Sequence, residues 1–276
     1  MSVIDEPLRF DGGGRGMRPA KVTLVGAGPG DPELLTLKAA RALRECRLVM
    51  YDHLVGDAVL EFVPRGAHRI FVGKQAGHHT LSQSGIIELM VRLARSGRPV
   101  LRLKGGDPYV FGRGGEEAQA LAANGIPFEV IPGISAAQGA AAATGMPLTH
   151  RDHAGTLIFV TGHRCAQGEA QALEPDWPTL ARPRQTVVFY MGVAALPAIC
   201  AQLMHHGLDP ETPAAVIERA TLPEQRTVTG TVRTLPALAQ AHGVKAPALI
   251  MVGGVVGLHA QIGGVAPGTP AELRIA

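Results

Sequence analysis

Ionisable side chains close three consecutive β-rich runs of this chain. Asp52 follows Val49-Met50-Tyr51, Lys74 comes just after Ile70-Phe71-Val72, and Lys104 and Asp107 follow Leu101-Arg102-Leu103. A carboxylate and an ammonium facing one site can act as base and acid, or orient a charged substrate. Each residue alone reads equally well as half of a solvated ion pair on a sheet rim. Together they point to a ligand crevice outside the carboxyl ends of an α/β sheet. The densest stretch is residues 102–117, where Gly105-Gly106 ends an apolar strand, Asp107-Pro108 makes a turn, and Gly112-Arg113-Gly114-Gly115 precedes a helix beginning near Glu116. Glycine carries an entropic cost, so this density suggests backbone shaped around a ligand, with a glycine-rich αβ connection as the plainer reading.

Other motifs are weaker or misleading. Val25-Gly26-Ala27-Gly28-Pro29-Gly30-Asp31 is a strand followed by a glycine turn, and with Asp52 it mimics a dinucleotide-binding fingerprint. Asp31 stands where the third glycine belongs, and a carboxylate there would repel a pyrophosphate seeking the same helix end. Asp31 reads equally as the cap of its own helix. His150-Arg151-Asp152 imitates a kinase catalytic loop, yet Leu157 occupies the position of the required asparagine. That cluster suits the gripping of carboxylates better. His78-His79, His205-His206 and His163 with Cys165 lack the spacing of a structural metal site, so no metal is expected. Phe189-Tyr190-Met191-Gly192 ends a strand with a thioether that packs in a core or lines an adenine pocket.

The elements that must position these residues alternate. Short β-rich runs are expected at 21–26, 47–51, 69–72, 99–104, 128–131, 156–161, 186–190, 214–218, 226–230 and 248–252, with helices at 33–45 and 82–95. Ser82 is the expected N-cap of the latter, whose Ile86, Met90 and Leu93 share a face. The pattern predicts an α/β protein of two domains with mainly parallel sheets and an active-site cleft between them. Expected boundaries are a flexible tail at 1–20, an N-terminal α/β domain at 21–138, a C-terminal α/β domain at 139–260 and a tail at 261–276.

Composition bounds the class. The chain has 276 residues, 46% hydrophobic and 18% charged, as in ordinary globular proteins. No run reaches the roughly 18 apolar residues of a membrane span, and the first residues lack the apolar core of a signal peptide. A net charge of +3 is too small to argue for nucleic acid but suits a polyanionic small substrate. Cys46, Cys165 and Cys200 are scattered and odd in number, which fits apolar fillers in a reduced, cytoplasmic compartment.

Taken in order, the motifs resemble the tetrapyrrole methylase superfamily, and within it the uroporphyrinogen-III C-methyltransferases. The matching pieces lie at residues 25–39, 51–52, 72–74, 102–117, 130–136, 147–152, 160–163, 189–192 and 247–250, so the resemblance runs from about 20 to 258. It implies the tetrapyrrole methylase fold and S-adenosylmethionine as methyl donor. By motif position, Pro29, Gly105, Gly106, Asp107, Val110, Ser135, Ala136, Met191, Ala220 and Ala248 would contact the donor. Asp52 would be the proton acceptor and Lys74 the proton donor. The implied substrate is uroporphyrinogen III, methylated at C2 and C7 to precorrin-2 for siroheme or cobalamin. Arg113, His150 and Arg151 are assigned to its carboxylates on chemical grounds. Ser135 stands where the motif usually has Thr, and Val110 where it often has Ile. A homodimer is implied by the family. Siroheme synthases fuse such a module to a dehydrogenase/chelatase domain, for which too few residues precede Lys21, so methylation alone is expected. Readings kept open are a nicotinamide-dependent oxidoreductase, a later-precorrin or RNA methylase, and a tetrapyrrole carrier.

Overall fold

The computed structural model describes residues 18–73, 81–162 and 175–263. The chain divides into two compact units between Ser135 and Ala136.

The first unit is built from βαβ repeats. Strands β1 (Val22–Gly26), β2 (Leu48–Tyr51), β3 (His68–Phe71), β4 (Val100–Lys104) and β5 (Phe128–Ile131) form a five-stranded sheet in the order β3-β2-β4-β1-β5. Every pairing in it is parallel. Helices α1 (Leu37–Glu45), α2 (Asp57–Leu60), α3 (Gln83–Arg95) and α4 (Gly114–Ala123) cover it. Leu101 and Leu103 share a core with Leu43, Val49 and Val59 on one face. Val100 joins Met50, Met90, Leu93 and Leu121 on the other. β4 lies at the centre and is buried along its whole length, Arg102 and Lys104 included.

The expected helix at 33–45 is two pieces. Asp31 caps a 3₁₀ turn, Pro32–Leu34, by accepting from the Glu33 amide. Leu35 and Thr36 are then extended, and the Thr36 hydroxyl accepts from the Ala39 amide to start α1. Two caps placed five residues apart specify two starts rather than one helix. Ser82 does cap α3, whose Ile86, Met90 and Leu93 are buried.

The second unit departs from the expectation of a mainly parallel sheet. Its strands β6 (Thr156–Thr161), β7 (Gln185–Tyr190), β8 (Pro213–Glu218), β9 (Arg226–Thr231) and β10 (Ala248–Val252) lie in the order β6-β7-β10-β8-β9. Only β6 and β7 pair in parallel; the other three pairings are antiparallel. The connection 219–225 is too short for the dozen-residue crossover that a parallel pair needs, so β9 folds back on β8. Around the sheet lie α5 (Ala136–Thr144), α6 (Trp177–Leu180), α7 (Leu196–His205), α8 (Leu235–Ala241) and α9 (His259–Ile262). Phe189, Ile199, Leu203, Val216 and Ile250 form its core. Cys200 is buried there as a filler, and burial pushes its thiol up to about 12. Among the described residues no helix is long and apolar enough to cross a membrane.

Candidate functional site

In the first unit the chemistry gathers at the carboxyl edge of the parallel sheet. Parallel pairing sets Tyr51 beside Leu103, so Asp52 emerges next to the end of β4, where residues 105–107 begin. The Asp52 carboxylate is held at both oxygens. Oδ1 accepts from the Leu54 amide at 3.2 Å, and Oδ2 accepts from Arg102 Nη2 at 3.4 Å. Its side chain retains 26% exposure, so a reactant has access to it.

Lys104 does not project to the sheet rim as its position at a strand end suggested. It turns into the layer under α3 and α4 and donates to Glu117 Oε1 at 3.0 Å. Burial, then the neighbouring Arg102 guanidinium, hold its ammonium below the usual lysine range.

Three glycine-bearing loops meet beside this edge. Gly28 and Gly106 exchange backbone hydrogen bonds of 3.1 and 2.7 Å. A Cβ on Gly133 would lie 2.2 Å from the Gly106 carbonyl oxygen, and one on Gly26 would lie 2.5 Å from the Gly133 amide. Asp107 ties the same loops together: Oδ1 accepts from the Tyr109 amide at 2.8 Å and Oδ2 from the Gly133 amide at 3.0 Å. Gly105, Gly106 and Asp107 are half-buried, as are Pro29 and Val110. Much of the glycine density thus serves close approach of backbone to backbone. Gly114 likewise exists because a Cβ there would meet the Pro108 carbonyl at 2.4 Å. Motif reading missed Gly26 and Gly133 as partners of the loop; the repeated Gly-x-Gly and Pro-Gly signals could have suggested them.

Arg113 has a left-handed backbone, φ 57°, at the N-cap of α4. Its guanidinium is exposed and forks onto Glu116 at 2.9 and 2.7 Å. That pairing holds the Glu116 carboxyl below its ordinary value. A substrate carboxylate reaching Arg113 would compete with Glu116 for the same fork. Ser135, the last residue of this unit, is buried.

In the second unit Met191, Ala220 and Ala248 come to one edge. β10 runs antiparallel to both β7 and β8, so its first residue, Ala248, lies beside the carboxyl ends of those strands, opposite Glu218. Met191 follows β7 with φ 55° and 54% exposure. Ala220 lies between Arg219 and Thr221, both at positive φ. Ala136 opens α5, where the next amide, Ala137, donates to the Tyr190 hydroxyl at 3.1 Å. Small side chains and an exposed thioether on one sheet edge offer an apolar surface for a flat ring. His150 and Arg151 stand in a tight turn closed by a bridge between His150 and Ala154. There His150 Nδ1 accepts from the Asp152 amide at 3.1 Å, while Arg151 is exposed. Lys74, His78, His79, His163 and Cys165 lie outside the described residues.

A parallel βαβ unit joined to a mixed-sheet unit, with glycine loops at the strand ends of the first, defines a class. Residues 21–236 match the family model for Tetrapyrrole (Corrin/Porphyrin) Methylases, and this chain belongs to that family. Its relatives include the siroheme synthase of Gluconacetobacter diazotrophicus, 56% identical over 236 residues, which span 86% of this chain and 50% of that protein. The siroheme synthase of Nitrosomonas europaea is 52% identical over 242 residues, 88% of this chain and 50% of that protein. The chain thus spans about half the length of these relatives. Among solved structures, uroporphyrin-III C-methyl transferase from Thermus thermophilus complexed with S-adenosyl homocysteine is 40% identical with a TM-score of 0.71, covering 86% of this chain and 93% of that one. A cobalamin biosynthetic enzyme, cobalt precorrin-4 methyltransferase, is 27% identical with a TM-score of 0.73, covering 86% and 95%.

Proposed function

We propose that this chain is an S-adenosylmethionine-dependent methyltransferase that methylates uroporphyrinogen III at C2 and C7, giving precorrin-2 for siroheme or cobalamin synthesis. The observation that carries the reading is the Asp52 carboxylate, fixed at both oxygens yet open to a reactant, beside the loop of Gly105, Gly106 and Asp107. The likeness to a transferase solved with S-adenosyl homocysteine supports the choice of donor. The siroheme synthases and the precorrin-4 enzyme support the substrate class.

The residues present suit such a donor. Gly105 and Gly106 are half-buried and present no side chain to a ligand, and Asp107 keeps acceptor capacity beyond the two amides it already holds. Pro29, Val110, Ser135, Ala136, Met191, Ala220 and Ala248 complete the proposed contacts. When bound, the donor supplies an electrophilic methyl group, so the protein needs no nucleophile of its own. Its part is to align the pyrrole carbon, a contribution worth up to about 7–11 kcal/mol in well-oriented systems. Asp52 then takes the proton released from the methylated ring, and Lys74 delivers one to the tetrapyrrole. Arg113, His150 and Arg151 receive substrate carboxylates, with Arg113 exchanging Glu116 for them. The protein acts in the cytoplasm as a homodimer on a small molecule, with neither nucleic acid nor membrane as partner and without a metal.

Incubation of the purified chain with S-adenosylmethionine is expected to release S-adenosylhomocysteine only when uroporphyrinogen III is added, two equivalents for each tetrapyrrole. Absence of release in the complete mixture would overturn the assignment.

A further inference from the structure

β4 buries two cations on one face of a central strand, a costly choice. Arg102 and Lys104 are 3% and 4% exposed at the side chain, and Glu117, which meets both from α4, is fully buried. A buried ion costs several kcal/mol to desolvate, and well-packed apolar residues of similar volume are often as stable or more so. Stability alone therefore gives no reason for this arrangement at the centre of the sheet.

Geometry supplies one. The Arg102 guanidinium is held in three directions: Nε donates to Glu117 Oε1 at 3.3 Å, Nη1 to the Leu103 carbonyl at 3.0 Å, and Nη2 to Asp52 Oδ2 at 3.4 Å. Glu117 Oε1 also accepts from Lys104 Nζ at 3.0 Å and from Gln83 Nε2 at 3.2 Å. Glu117 Oε2 is buried and accepts no hydrogen bond among the described residues. Among its charged members the chain of contacts runs from buried Lys104, Glu117 and Arg102 to Asp52, which is partly open to solvent. The four groups carry two positive and two negative charges.

We infer that Arg102 is a positioning residue for Asp52, with Glu117, Lys104 and Gln83 locking the guanidinium from behind. The inference rests on the reading of Asp52 as proton acceptor. Arg102, together with the Leu54 amide, fixes the rotation of the Asp52 carboxylate. When Asp52 takes a proton from the methylated ring, the cluster changes from balanced to a net charge of +1.

The test compares Arg102→Gln, Arg102→Lys, Asp52→Asn and the double variant Asp52→Asn/Arg102→Gln in the full chain. Turnover is followed by S-adenosylhomocysteine release, and S-adenosylhomocysteine affinity by calorimetry. Arg102→Gln is expected to lower kcat about 10–100-fold, the scale of a misaligned catalytic group, leaving tetrapyrrole KM and S-adenosylhomocysteine affinity within about two-fold. Arg102→Lys, which keeps the charge but loses the fork, should fall between it and the parent. In the Asp52→Asn background Arg102→Gln should add less than about two-fold, because residues that act through one another are not additive. An equal loss in both backgrounds overturns the inference and leaves the role of Asp52 standing. Full turnover by Asp52→Asn overturns both. If Arg102→Gln does not fold, an Arg102→Lys variant with the parent's kcat overturns the inference by itself.

Discussion

Replacing Gly133 by Ala tests the account of the glycine loops most directly. The added Cβ would lie 2.2 Å from the Gly106 carbonyl oxygen and 2.9 Å from the Gly26 Cα. Both obstacles are backbone, so no side chain can swing away, and the loops must part by about 1 Å to restore normal contact. Overpacking of this kind costs about 1–3 kcal/mol. Parting the loops also strains the Gly28–Gly106 pair and the Asp107–Gly133 bond, at about 1 kcal/mol for each bond lost. With one to three of these bonds lost, a total of about 2–6 kcal/mol follows, and at about 2–4 °C per kcal/mol for a protein of this size the melting temperature should drop by about 4–24 °C. S-adenosylhomocysteine affinity, measured by calorimetry, should fall about tenfold or more, because a displacement near 1 Å is enough to spoil a positioned site. Gly115 is the control. A Cβ there meets nothing within 4 Å, so Gly115→Ala in the first turn of α4 should raise stability by about 0.5–1 kcal/mol. A Gly133→Ala protein that melts within a degree of the parent and binds S-adenosylhomocysteine normally would refute the packing argument.

Two further outcomes are expected. Lys21 and Lys38 both bond to the Glu129 carboxylate and hold its pKa down to about 2, against an ordinary 4.5. A carboxyl lowered on folding adds stability above about pH 4.5 that is lost as the pH falls through about 2. Because the lysines are well exposed, that contribution is about 1 kcal/mol or less. In urea unfolding, Glu129→Gln should trail the parent at pH 7, and the gap should narrow below about pH 4.5 and close only as the pH falls through about 2; a gap independent of pH speaks against the ion pairs. The Cys200 thiol, raised to about 12 by burial, should resist iodoacetamide at pH 8 until denaturant opens the second unit, as read by peptide mapping. Labelling of Cys200 in the native protein would contradict its place in the core.

The ten strands could be read from sequence to within a residue or two, because short apolar runs bounded by Gly, Pro and Asp leave little choice of boundary. The helix at 33–45 was misjudged because Thr36, sitting inside an apparently continuous pattern, is a second cap. The second sheet was misjudged because strand runs carry no sign of direction. Only the short link 219–225 betrayed a hairpin. Asp52 and the residues 105–107 were expected just after strands, and the structure places them there. Lys104 was misjudged, since a lysine at a strand end reads as exposed until its buried acceptor, Glu117, is seen thirteen residues on.

Residue type and order alone determined that this chain would build a parallel βαβ unit, that Asp52 would follow its second strand, and where its family motifs lie. These are local properties, set by hydrophobic period, turn chemistry and the rule that parallel strands end on one side. Tertiary structure decided the rest. It showed that the glycines pack loop on loop, and that β10 enters against its neighbours to bring Ala248 to Met191 and Ala220. It also bound the buried Arg102, Lys104 and Glu117 and the partly exposed Asp52 into one set of charges. The physical reason is that close approach and desolvation act between residues distant in sequence, and their strength is defined only when both partners have a place.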